Sequence, residues 1–315
     1  MTDLAARPEA GTRRTRRRPT RRAASTRAAY LFLSPWLVGL VVFTAGPMVA
    51  SLVLSFTDYD LVSAPSFVGG ENYRRLVEDP AILTALGNTL FYTVLHVPLS
   101  MTAALGLAML LVRAGRSAGF FRTVVYLPVM TPPVAIGALF LLLLNGQTGL
   151  VNEGLALLGV QGPAWTSDPT WIKPGIVLMS LWTVGSTAII YVAALRDVPA
   201  QLYEAALVDG AGWWRRFTAV TLPMISGTLY FTLLVNTIAS LQLFAEVYTM
   251  YFGTTDSAAA GDAALFYVIY LFQQAFEFLR MGYASAMAWV LFVVVVAVTL
   301  LQARLARRHV YYEGA

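Results

Sequence analysis

The chain has 315 residues, 57% hydrophobic and only 12% charged, about half the charged share of a soluble domain, so its class is an all-α polytopic membrane protein. No cysteine is present, which excludes disulfides and thiolate metal sites within this chain. Two histidines, His96 and His309, leave little material for a metal centre or a histidine-based triad.

The first segment, residues 1–28, is an arginine-rich arm that includes "RRTRRRPTRRAASTR". It has no apolar periodicity and reads as a disordered cytoplasmic anchor against anionic lipid, where each basic residue contributes about 1 kcal/mol. No aromatic residues interleave with the arginines and no nucleic-acid fold follows, so nucleic acid is not an expected partner. The apolar run after the arm is too long for the core of a secretory signal.

From there a transmembrane domain is expected over 29–305, followed by a short cytoplasmic tail, 306–315. Charge-free windows run over 28–57, 80–112, 123–152, 174–195, 217–245 and 281–303. Each exceeds the roughly 20 helical residues that cross a bilayer core, and backbone groups in lipid must be bonded internally, so six transmembrane helices are expected. Prolines at 35, 47, 98, 128, 132 and 133 predict kinks. Windows 154–167 and 263–276 are too short to span. They read as surface or re-entrant segments, and "ALFYVIYLFQQAF" as an extracytoplasmic amphipathic helix. Eighteen basic residues fall on the face that holds both termini and four on the other. The positive-inside rule therefore places both termini in the cytoplasm.

No phosphate-binding loop, H-E-x-x-H or G-x-S-x-G string is present, so neither ATP binding through such a loop nor those hydrolases are indicated. On the second span, Asn88, Tyr92 and His96 follow at one-turn intervals. On the fifth, Gln242, Glu246 and Thr249 share one helical face. Each set lines a substrate pathway or makes inter-helix hydrogen bonds. His96 alone reads as a structural hydrogen-bonder.

The cytoplasmic loop at about 196–223 carries "YEAALVDGAGWWRRFTAVTLP". Asp197 is placed to cap a helix with Pro199 in its first turn. "AQLYEAALVDG" favours helix, and Gly210 ends it in the left-handed conformation. A second short helix, "WWRRFTAVT", follows, and Pro223 opens the fifth span. Leu202, Ala206 and Gly210 form a small-residue stripe with Ala205 beside it. Residue chemistry alone leaves two readings open: a membrane-surface helix, or a knob that docks on a partner.

Glu204-Ala205-Ala206, then Gly210, then Val220-Thr221-Leu222-Pro223 resembles the EAA signature of membrane subunits of binding-protein-dependent ABC importers. "LSFTDYDL" (54–61), "FVGGENYRRL" (67–76), "GNTLFYT" (87–93), "FRTVVYLPVMTPP" (121–133) and "FEFLRMGYASAMAWVLF" (276–292) resemble the carbohydrate branch of that family. The resemblance covers about residues 30 to 305. Valine at 220 replaces the usual isoleucine, and "YFGTTDSAAAGDAAL" (251–265) lacks the proline frequent in that loop.

The resemblance implies a type I ABC importer fold in the bacterial cytoplasmic membrane. It implies a second related permease, two ATPase subunits that bind ATP and magnesium, and an extracytoplasmic sugar-binding protein. Glu204, Ala205, Ala206 and Gly210 would contact an ATPase subunit, and Leu222 and Pro223 would fix the exit into the fifth span. No cofactor and no catalytic residue is implied on this chain.

Other classes fit less well. An importer for glycerol phosphate, a polyol or an amino acid shares the EAA loop but not the carbohydrate-type strings. A stand-alone secondary transporter favours intramembrane carboxylates and inverted repeats, and only the near-edge Glu246 is acidic within the spans. An intramembrane enzyme needs a nucleophile with its base, or metal ligands.

Overall fold

The computed structural model describes residues 21–252 and 261–307. Most of the arginine-rich arm, His309 with the end of the C-terminal tail, and the middle of the proline-free loop lie outside the described residues. Residues 1–53 and 54–315 form two compact units.

In the first unit, α1 (Arg21–Leu40) begins inside the expected arm. A π-helical turn (Val41–Ala45) leads into α2 (Gly46–Leu54). Residues 29–54 are long and apolar enough to cross a membrane. The Gly46 amide donates five residues back to the Val41 carbonyl. This wider turn accommodates Pro47, whose ring and missing N–H do not fit a regular helix interior.

The second unit opens with a two-residue antiparallel hairpin, β1 (Thr57–Asp58) and β2 (Ser66–Phe67), and the amphipathic α3 (Glu71–Glu78). Next comes α4 (Pro80–Arg113). Its 34 residues reach about 50 Å at 1.5 Å each, beyond a hydrocarbon core of about 30 Å. Asp79 caps it, accepting the Ala81 amide at 2.9 Å, with Pro80 at the first position.

The expected third span is broken. α5 (Ala118–Tyr126) passes through a 3₁₀ turn (Leu127–Met130) and then turns 96° into α6 (Pro133–Leu143). Thr131 and Pro132 are extended (ψ 127° and 142°), because a residue that precedes proline avoids the helical region. After α7 (Leu150–Leu157), the fourth span bends by 50° between α8 (Pro169–Ser180), with its 3₁₀ end Leu181–Thr183, and α9 (Gly185–Asp197).

The loop holds α10 (Ala200–Val208) and α11 (Trp213–Arg216). A second π-helical turn (Phe217–Thr221) precedes α12 (Leu222–Met224), α13 (Ser226–Leu241) and α14 (Ala245–Tyr251). The Leu222 amide reaches back to the Phe217 carbonyl, and a proline again stands two positions past the turn. Finally come α15 (Tyr267–Phe272), a third π-helical turn (Gln273–Glu277) and α16 (Met281–Ala306). Among the described residues four helices are long and apolar enough to span, or six if each bent pair is one span.

The 263–276 segment is not a surface amphipathic helix. Phe266, Tyr267 and Ile269 are fully buried, and Gln274 and Ala275 nearly so. Side chains from distant helices hold it. Asn88 on α4 donates to the carbonyls of Asp262 (2.7 Å) and Leu265 (2.9 Å). Thr89 accepts the Tyr267 amide, and the Tyr267 hydroxyl donates to the Met287 carbonyl on α16. Tyr270 and Tyr283 both donate to Asp79 Oδ2 at 2.7 Å. Burial acts to raise the Asp79 carboxyl. The two hydroxyls and the amides of Ala81 and Ile82 outweigh it and hold the group below its ordinary value.

Elsewhere α4 packs on α9 through Ala104, Ala108, Ala188 and Tyr191. The three alanines permit close approach. Tyr191 meets Thr232 of α13 at 2.6 Å, and Gln302 of α16 donates to Thr237 of α13 at 2.8 Å.

Candidate functional site

Two features stand out, a cavity of mixed polar and apolar lining in the second unit and an exposed loop that precedes α13. The cavity, about 480 Å³, is lined from α4, α6, the end of α8 and the α13–α14 junction. Such a volume lies within the usual range for small-molecule sites.

On α4, Tyr92 donates its hydroxyl to Ser180 Oγ at 2.7 Å. His96 stacks on the Tyr92 ring, with centroids 4.9 Å apart and planes within 7°. The His96 Nδ1 is buried and has no hydrogen-bond partner among the described residues. The reading of His96 as a structural hydrogen-bonder is therefore corrected: its ring faces the cavity.

Across the cavity, α13 ends at Leu241 and the chain is irregular through Gln242 (φ −111°) and Phe244 (φ −143°) before α14 starts. The single helical face expected for Gln242, Glu246 and Thr249 is thus interrupted. Gln242 and Glu246 both line the cavity, whereas Thr249 donates to its own helix at the Ala245 carbonyl. Glu246 has no ion-pair partner among the described residues, where the only carboxylate paired with a cation is Glu71, with Arg74 and Arg75.

The position of Glu246 is fixed by packing. α14 lies against α6, and a Cβ at Gly137 would collide with the Glu246 carbonyl oxygen. Glycine there lets the two backbones touch.

Of the four residues expected in the pathway, Tyr92, Gln242 and Glu246 meet in the cavity and Asn88 does not. Asn88 is 5% exposed and both its amide hydrogens are used on the 262–265 carbonyls. The sequence reading missed Ser180, Asn236 and Ser240, which also line the cavity. Each is a polar residue within an apolar run, a weak signal that its partners alone resolve.

The loop contrasts with this site. None of the α10 side chains is buried; Glu204 and Ala205 are exposed, Ala206 half-buried, and Val208 is 89% exposed. Gly210 adopts φ +72°, and the Ala211 amide reaches back to the Ala206 carbonyl at 2.8 Å, the closing bond of a glycine-terminated helix. Asp197 does not cap α10. It ends α9, Val198 is extended, and Pro199 holds the cap position.

A hydrogen bond of 3.0 Å between Tyr203 and Thr221 ties α10 to the π turn, and Trp213 stacks on Phe217. Leu222 and Pro223 do not open a helix as expected: they lie in α12, continuous with the π turn, and the break before α13 falls at Ile225. Among the described residues no cluster of metal-ligating side chains occurs.

Residues 96–310 match the family model described as binding-protein-dependent transport system inner membrane component. The chain is 36% identical over 289 residues to a probable ABC transporter permease protein, YesP, of Bacillus subtilis (strain 168), covering 91% of this chain and 93% of that protein. It is 35% identical over 284 residues to the lactose transport system permease protein LacF of Rhizobium radiobacter, covering 88% and 93%. Its fold matches a chain in a crystal structure of a bacterial alginate ABC transporter in complex with an alginate pentasaccharide-bound periplasmic protein. The TM-score is 0.77 at 24% identity, over 91% of this chain and 96% of that one.

Proposed function

The chain belongs to the binding-protein-dependent transport system inner membrane component family, and from that premise we propose that it is one permease half of an ATP-driven carbohydrate importer. It is a multi-pass protein of the cytoplasmic membrane and not itself an enzyme. In this reading six spans leave both termini in the cytoplasm, as the bias of eighteen basic residues against four supports. A second, related permease completes the pathway, two ATPase subunits bind ATP and magnesium, and an extracytoplasmic binding protein delivers the sugar.

The observation that carries the coupling role is the α10 knob: a short helix without buried side chains, closed by a left-handed glycine and tied by Tyr203 to the root of α13. Glu204, Ala205, Ala206 and Gly210 make the contact with an ATPase subunit. Leu222 and Pro223 carry its displacement into the fifth span. ATP shifts the equilibrium between inward- and outward-facing states because it binds the ATPase pair more tightly in one of them. Tyr92, Gln242 and Glu246 lie along the sugar's path.

The test uses the complete importer in proteoliposomes. Gly210→Pro imposes a φ near −65° where +72° is needed, and Glu204→Lys reverses the charge of the knob. Both should abolish ATP-driven uptake while the chain still inserts. Wild-type uptake in both variants would overturn the coupling assignment.

A further inference from the structure

We propose that the central cavity admits uncharged saccharides and repels anionic ones, such as sugar acids and sugar phosphates, through the single carboxylate of Glu246. This deepens the proposed function and rests on the cavity being the sugar's path.

Among the described residues that line the cavity, Glu246 is the only acidic side chain, and no arginine or lysine accompanies it. Its neighbours there include Gln242, Asn236, Ser240 and His96, all of which exchange hydrogen bonds with hydroxyls. The half-buried His96 ring, held flat on the buried Tyr92 ring, adds an apolar surface to the wall. A hydroxyl donates to a carboxylate in a charge-assisted bond. A second carboxylate or a phosphate in the same space meets an unpaired like charge, the repulsive element on which selectivity rests. Inside the protein that repulsion is screened less than in bulk water.

One feature marks the carboxylate as part of a built site: its backbone is clamped against α6 at Gly137, which fixes where Glu246 stands in the cavity wall.

Because the chain has no cysteine, Ala239→Cys supplies a lone thiol in the cavity wall. The complete importer, with cysteine-free partner chains, is treated with cationic and anionic methanethiosulfonates, and each rate is normalised to a free small thiol. The cationic reagent should react at least tenfold faster, and adding Glu246→Gln should bring the ratio to within about threefold of unity. A ratio near one before that change, or a ratio that Glu246→Gln leaves intact, overturns the proposal.

A ratio near one in Ala239→Cys alone, with ATP-driven uptake intact, sinks the filter and leaves the permease reading standing. If neither reagent modifies Ala239→Cys or the alternative Ser240→Cys, the cavity is not an aqueous path and both the filter and the pathway role fall. Transport of digalacturonate by the wild-type importer as fast as an uncharged disaccharide overturns the filter equally.

Discussion

One turn of α4 separates Asn88 from Tyr92, and two different polar environments meet there. Below that turn Asn88, Thr89 and Asp79 bind carbonyls, an amide and two tyrosine hydroxyls, and they hold the 262–283 region in place. Above it Tyr92 and His96 line a cavity in which the Glu246 carboxylate has no partner among the described residues. The same residue types serve both places. A satisfied polar group fixes structure; an unsatisfied one, kept beside open space, is available to a ligand.

That contrast breaks most readily at the clamp behind Glu246. Gly137→Val forces α6 off the α14 backbone, and a collision with main-chain atoms has no flexible side chain to absorb it. The expected loss is about 3 kcal/mol or more, at the top of the overpacking range, read as loss of the folded fraction in a thermal-shift assay. Asn88→Ala should come next, at about 2–4 kcal/mol, since two buried carbonyls lose their donor at about 1–3 kcal/mol each. A variant as stable as wild type would move Asn88 back toward the pathway.

Asp79→Asn should cost less, about 1–2 kcal/mol at neutral pH, because an amide oxygen still accepts from both tyrosines. Its sign with pH is fixed. The Asp79 carboxyl is held below its ordinary value in the folded state, so its contribution is complete above about pH 4 and fades as pH falls further. The stability gap between wild type and variant, followed by thermal melting, should narrow on that acid side. A gap that widens there would contradict the hydrogen-bonded assignment. His96→Ala should be smallest in stability, about 1 kcal/mol, since the stacking on Tyr92 is lost but no hydrogen bond is. It should nevertheless alter uptake kinetics at least threefold; unchanged uptake would place His96 with the structural group.

What the sequence makes legible follows the same division. The α10 helix and its glycine stop depend on neighbours within a few residues, and propensity finds them; Pro223 misleads, because the π turn before it carries the helix past the proline to Met224. Asp197 misleads because Val198 is extended, so the helix that follows starts at Ala200 with Pro199 as its cap. The break after Leu241 carries no glycine or proline, so Gln242, Glu246 and Thr249 read as one face although the backbone turns between them. The burial of 263–276 is invisible for another reason: Asn88, 174 residues from Asp262 in sequence, supplies its hydrogen bonds. The cavity is assembled from four segments, and its chemistry cannot be read from any one of them.

The π-helical turn at Phe217–Thr221 has a consequence in units of register. A π turn holds one residue more than the α turn it replaces, and one residue corresponds to about 100° of rotation on a helix of 3.6 residues per turn. Deleting a single residue there would wind the turn into α-helix and swing the α10 knob about a quarter of the way round the axis of α13. The α10 knob itself would keep every side chain and lose its aim.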